Sequence, residues 1–93
     1  DFIRGLSPYP AAWTELVQPD GTVVVLKIFE TEKIYQEHQL QSGTVLTDNK
    51  NYLHIAVPEG FIKVLALQLP GKKRLKTDEL LRGFRLADGV KVQ

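Results

Sequence analysis

The chain has 93 residues, with 12 Lys and Arg against 11 Asp and Glu, 43% hydrophobic and 25% charged residues, and neither cysteine nor methionine. That length makes one domain with one small core, too little for a nucleotide-binding layer plus a substrate domain, and the composition excludes disorder. The lack of cysteine excludes disulfides, thiolate nucleophiles and cysteine-based zinc sites, which fits a reducing cytoplasm, and no apolar run approaches the roughly 20 residues of a membrane span.

Without a methionine, and opening on Asp1-Phe2-Ile3-Arg4, the chain reads as an excised piece of a longer protein, although removal of an initiator leaves the same trace. Gly5-Leu6-Ser7-Pro8-Tyr9-Pro10 is excluded from helix, because each proline fixes its own φ and biases the preceding residue to extended backbone. This segment is expected to be an entry strip, with Arg4, Pro8, Tyr9 and Pro10 packing on the barrel or against a neighbouring domain.

Residues 11–17 (A-A-W-T-E-L-V) alternate weakly and predict a first strand. Pro19-Asp20-Gly21 presets a turn, and residues 22–29, dense in β-branched side chains, predict a second strand that extends to about Tyr35 before a polar loop. A third strand is expected over 43–47, a turn at Asp48-Asn49-Lys50-Asn51, and a fourth strand over 52–57. Pro58-Glu59-Gly60 repeats the turn chemistry, and residues 61–69 form a fifth strand, apolar on both faces and therefore central. Residues 77–82 predict a short helix with Thr77 as its cap, Asp78 and Glu79 in its first turn and Gly83 ending it. The sum is a mostly β chain: a small five-stranded antiparallel OB-like (Greek-key) barrel with one short C-terminal helix, an SH3-like barrel being the alternative.

Catalytic constellations are absent from the pattern. His38 falls in a polar loop, and His54 alternates within a strand as a half-exposed residue. Ser7 and Ser42 sit in no nucleophile-elbow sequence, and the glycines occur singly beside turns. No catalytic residue, metal or cofactor site is expected. Trp13, Phe29, Phe61 and Phe84 are expected to fill or cap the core.

Charge is the more informative feature. Residues 1–71 hold five basic and eight acidic side chains, whereas residues 72–93 hold seven basic and three acidic ones. Lys72, Lys73, Arg74 and Lys76 put four cations in five residues, and Arg82 and Arg85 follow on the helix and its exit. That density attracts polyanions and marks a candidate nucleic-acid surface; the competing reading is a solvated loop that keeps the chain soluble.

Three segments carry a resemblance. Ile3-Arg4-Gly5-Leu6-Ser7-Pro8-Tyr9-Pro10-Ala11-Ala12-Trp13, Gly43-Thr44-Val45-Leu46, and the stretch from Leu67-Gln68-Leu69-Pro70-Gly71-Lys72-Lys73 through the helix to Gly83 resemble the C-terminal domain of methionyl-tRNA formyltransferases. Serine stands where asparagine is common before Pro8, and Tyr9 where tryptophan is common. The resemblance implies an OB-related barrel presenting a positive face to the initiator methionyl-tRNA through phosphate contacts. It also implies a Rossmann-like N-terminal catalytic domain as a further partner, which would use 10-formyltetrahydrofolate as co-substrate, and a monomeric cytoplasmic protein with no membrane or metal partner. A structural barrel of a related sugar-amine formyltransferase or formyltetrahydrofolate dehydrogenase, which does not meet nucleic acid, is the alternative. The basic segment favours the tRNA enzyme.

Overall fold

Alternating burial builds the first hairpin. The structure, a computed structural model, describes residues 12–93, so Arg4, Pro8, Tyr9 and Pro10 lie outside the described residues. In β1 (Ala12–Val17), Thr14 and Leu16 point inward and are buried; in β2 (Val23–Tyr35), Leu26 and Ile28 do the same. The turn between them is set by Asp20, whose carboxylate accepts from the Thr22 N–H at 2.9 Å, and by Gly21 at φ +92.

The remaining strands are β3 (Val45–Thr47), β4 (Leu53–Val57), β5 (Gly60–Gln68), β6 (Leu75–Lys76) and β7 (Lys91–Val92), with one helix, α1 (Thr77–Gly83), after β6. The antiparallel order is β3-β4-β5-β2-β1-β7, with β6 on β5. Beyond β7 a bridge from Lys91 to Thr44 brings the sheet round toward β3. Val92 N–H donates to Gly43 O at 2.8 Å. A Cβ on Gly43 would stand 2.5 Å from Val92 O, so the sheet comes round into a barrel at a place where glycine alone fits. The result is a small, nearly closed antiparallel barrel with one short helix.

Seven strand segments stand where five were expected. The two additions, β6 and β7, are two residues each and too short for a period-2 pattern to register. β5 is central, as its two apolar faces imply: β2 covers one edge, while β4 and β6 share the other. Register shifts at Phe29 and Leu65 mark bulges in the β2–β5 pair.

The core gathers Leu16, Leu26, Ile28, Leu53, Ile55, Val64 and Leu67 from the sheet with Leu80 and Leu81 from α1 and Leu86, Val90 and Val92 beyond it. Burying Leu80 and Leu81 contributes roughly 1.5–3 kcal/mol each, which is what holds so short a helix. One expectation fails here. Thr77 does not cap the helix; its buried hydroxyl donates to Val64 O at 2.5 Å. The N-terminal N–H of Lys76 is instead satisfied by Glu79 Oε1 at 3.0 Å. Gly83 does end the helix, as its last residue and without a left-handed backbone, and Phe84 leaves with extended backbone. Among the large rings, Phe61 is buried and Phe29 and Phe84 are half-buried, but Trp13 is 37% exposed on the outer face of β1 and is no core residue.

Candidate nucleic-acid interface

The turn after β5 displays the first two cations of the basic run. Lys72 N–H donates to Leu69 O at 3.1 Å, and the Gln68 side chain donates to Lys72 O at 2.6 Å. Gly71 takes φ +71 to complete the reversal. With the backbone satisfied within the turn, the exposed Lys72 and Lys73 ammonium groups are left for solvent or a ligand.

Arg74 is committed differently. Its guanidinium lies over the Phe29 ring, 4.6 Å from the centroid, and reaches Glu30 Oε1 at 2.9 Å. Lys76, in β6, stands opposite Ala66, whose partner in β2 is Glu30. Because the neighbouring row Ile28–Leu67–Leu75 turns inward, Glu30, Ala66 and Lys76 form one row on the other face, with Ala66 buried between two exposed charged residues.

A groove of about 350 Å³ opens beside this row, lined by Glu30, Asn51, Lys63, Leu65, Lys76 and Asp78 among others. It arises because β4 pairs with residues 60–63 of β5 and β6 with residues 66–67, leaving Val64 and Leu65 between them. Arg82, one turn along the helix, reaches Asp78 at 3.4 Å. Lys76 lines the groove itself, and Arg74 and Arg82 are drawn to it through the lining residues Glu30 and Asp78. Lys72 and Lys73 stand on the turn leading to it, and Arg85 is exposed beyond the helix with no contact joining it to the groove among the described residues. Lys72, Lys73, Lys76 and Arg85 have no carboxylate within 4.0 Å among the described residues.

Lys63 was not singled out in the sequence, yet it lines this groove and pairs across the sheet with His54. The signal was its place as the one charged residue of an otherwise uncharged strand. His54 is half-buried, as the alternation implied. Burial first, and Lys63 second, hold its imidazole below the ordinary 6.5, which favours the neutral ring. The Tyr52 ring lies 4.6 Å from that of His54. His38 is more than a loop residue: Nδ1 accepts from Leu40 N–H at 3.0 Å, leaving Nε2–H to donate to Val57 O and Gly60 O.

A larger groove of about 620 Å³, lined by Thr31, Lys33, Ser42, Pro58, Glu59 and Ile62, lies elsewhere. Its cation Lys33 is bound to Glu59 at 3.1 Å, and that hydrogen bond, with Tyr35 and the charge of Glu59 behind it, raises the Lys33 pKa. It offers an anion less than the groove at Lys76 does.

The sequence model of the formyl transferase C-terminal domain matches residues 1–85. The chain belongs to this family. Among its relatives are proteins named methionyl-tRNA formyltransferase from Bacteroides thetaiotaomicron (74% identical over 92 residues, 99% of this chain), Bacteroides fragilis (66% over 93 residues, the whole chain) and Flavobacterium johnsoniae (42% over 92 residues, 99% of this chain). The chain spans 29% of the length of each. As a formyl transferase C-terminal domain it carries, among the described residues, no group of three or more His, Asp or Glu placed to hold a metal. None of its described helices is long and apolar enough to cross a membrane.

Proposed function

We propose that this formyl transferase C-terminal domain is the tRNA-holding part of a methionyl-tRNA formyltransferase, and that it works through phosphate contacts from Lys72, Lys73, Arg74, Lys76, Arg82 and Arg85. The observation that carries the reading is the exposed stretch from Lys72 to Lys76, in which Lys72, Lys73 and Lys76 have no carboxylate partner among the described residues. The names of the relatives supply the substrate class.

On this reading the phosphate contacts read no base sequence. The lysines meet phosphates as point charges and the arginines as forks, which fixes the position of the tRNA and leaves discrimination elsewhere. Transfer of the formyl group from 10-formyltetrahydrofolate to the methionyl amine belongs to the remainder of the parent protein, a catalytic domain preceding these residues, in the cytoplasm. The domain contributes binding and placement: it holds the tRNA body so that the aminoacyl end is presented at a fixed reach. Arg4, Pro8, Tyr9 and Pro10 are proposed to pack between the two parts.

Filter binding of tRNA at two salt concentrations tests this. If about four phosphates are neutralised, affinity falls roughly a hundredfold between about 50 and about 200 mM salt. Replacing Lys72, Lys73 and Arg74 together by Ala should weaken initiator and elongator tRNAs alike and flatten that dependence by about two to three units. Equal affinity and equal salt dependence in both proteins would leave the reading without support and favour a structural barrel that does not meet nucleic acid.

A further inference from the structure

The cations of the basic run account for phosphates, but the groove they lead to has another chemistry. Its lining is mixed: Lys63 and Lys76 stand beside Asn51, Glu30 and Asp78, with the apolar side chain of Leu65 also present. Such a lining supplies both donors and acceptors, which a purely phosphate-binding surface does not need. Its volume, about 350 Å³, lies at the small end of what ligand pockets show.

No ring is among its lining residues, but two rings adjoin residues that are. Tyr52 follows the groove residue Asn51 directly, and His54 faces the groove residue Lys63 across the β4–β5 pair. Leu53 and Ile55 turn into the core, so Tyr52 and His54 share the outer face of the sheet, half-buried and in contact at 4.6 Å. The row continues to Phe61, whose centroid is 6.1 Å from that of His54. With burial and Lys63 both favouring the uncharged imidazole, His54 adds a neutral ring rather than a third cation.

We propose that the slot between β4 and β6, with Tyr52 and His54 at its side and Lys63 and Lys76 at its rim, takes an unpaired nucleobase of the bound RNA. The rings supply a stacking surface that every base can use, and the two lysines hold the phosphates flanking it. The Asn51 amide, and the carboxylate lone pairs that Glu30 and Asp78 keep beside their arginine partners, offer hydrogen bonds to base edges that pairing in a duplex would occupy. The slot therefore favours an RNA with an unpaired base over a continuous duplex. It rests on the reading of the domain as RNA-holding and adds a second, chemically different contact to it.

The test compares two probes on the 93-residue chain: a short single-stranded RNA and a blunt RNA duplex of equal length. Proton NMR should show the Tyr52 and His54 ring resonances moving with the single strand and much less with the duplex. Tyr52→Leu and His54→Gln should each weaken single-strand binding about tenfold while duplex binding changes by less than about twofold. Tyr52→Phe, which keeps the ring face, should bind as wild type does, and thermal melts confirm that each variant is folded. Equal losses on both probes, or ring resonances that stay fixed, would overturn the proposal. Should the Lys72/Lys73/Arg74 triple variant lose both probes while the ring variants lose neither, phosphate holding stands and the slot alone falls. Should neither probe bind the unaltered chain, both readings fail together.

Discussion

Asn49 and Leu86 are tied by a reciprocal pair of hydrogen bonds: Leu86 N–H donates to Asn49 Oδ1 at 2.8 Å, and Asn49 Nδ2 donates to Leu86 O at 3.1 Å. One side-chain amide thus imitates a strand partner and clips the segment after α1 to the turn between β3 and β4, 37 residues away. Asn49 also holds φ +58, a left-handed backbone that Asn tolerates better than most residues. Asn49→Ala should destabilise the chain by about 2 kcal/mol, since it strands two backbone groups of Leu86 and strains the turn. Asn49→Gly should cost less, because it relieves the backbone and loses the bonds alone. Urea titration of both variants measures the two contributions; an Ala variant as stable as wild type would mean that water replaces the amide fully.

Thr77→Val separates the observed role of Thr77 from capping. Its hydroxyl is buried and bound to Val64 O, in the gap between β4 and β6. The substitution keeps shape and leaves that carbonyl without its donor, at a cost of about 1–2 kcal/mol. A capping residue would respond differently: Thr77→Asp would be tolerated at a cap but here buries a charge. The expected order of melting temperatures is therefore Thr, then Val, then Asp.

Much of this architecture was legible because strand alternation and turn chemistry are local. The β1–β2 hairpin follows from Pro19-Asp20-Gly21 between apolar runs, and the central place of β5 from its two apolar faces. What could not be read depends on contacts remote in sequence. Thr77 looks like a cap until Val64 O is beside it, and β7 is two residues that become a strand only between Leu16 and Gly43. In the site, Lys72 to Lys76 were visible as a charge run, but the pairing of Arg74 with Glu30, 44 residues earlier, was not. Lys63 was hidden for the same reason: the groove it lines is made by the pairing of β5 with two different strands.

Asp48 makes the turn before β4 pH-sensitive. Its carboxylate accepts from the N–H groups of Asn51, Lys50 and Tyr52 at 2.7, 2.9 and 3.2 Å. These bonds, that of Asn51 foremost, hold its pKa at about 2 rather than 3.8. A depressed folded pKa gives stability that is fully present above the unfolded value near 3.8 and is lost as pH falls toward about 2. Denaturation between pH 5 and about 2 should therefore show a falling midpoint whose slope is reduced in Asp48→Asn. Parallel profiles for the two proteins would count against these bonds persisting in solution.

Two glycines should respond very unequally to alanine. At Gly60 a Cβ would lie 1.8 Å from Ile34 O and 2.9 Å from Gln36 N, both backbone atoms of the paired strand and its exit. Relief requires opening the end of the β2–β5 pair, so Gly60→Ala should cost more than about 4 kcal/mol or prevent folding. At Gly71 nothing lies within 4 Å, and the penalty is that of φ +71 alone, about 1–2 kcal/mol. Circular dichroism melts distinguish them; comparable losses would mean that the β4–β5 turn relaxes easily.

Glu30 is expected to restrain RNA binding. Its carboxylate holds Arg74 at 2.9 Å and stands in the same row as Lys76. Any phosphate reaching Arg74 must displace or share that carboxylate, and it meets the repulsion of a negative charge beside the groove. The pair is exposed on both sides, at 51% and 59%, so its loss should change fold stability by less than about 1 kcal/mol. Glu30→Gln frees the guanidinium without removing its stacking on Phe29, and should raise tRNA affinity several-fold at low salt, with the gain fading as salt screens it. Arg74→Ala in the same background should abolish most of the gain, because the released guanidinium is its source. Filter binding of the single and double variants at two salt concentrations gives the comparison. If Glu30→Gln left affinity unchanged, Arg74 would be a structural partner of Glu30 and Phe29, and the phosphate surface would reduce to the lysines on either side of it.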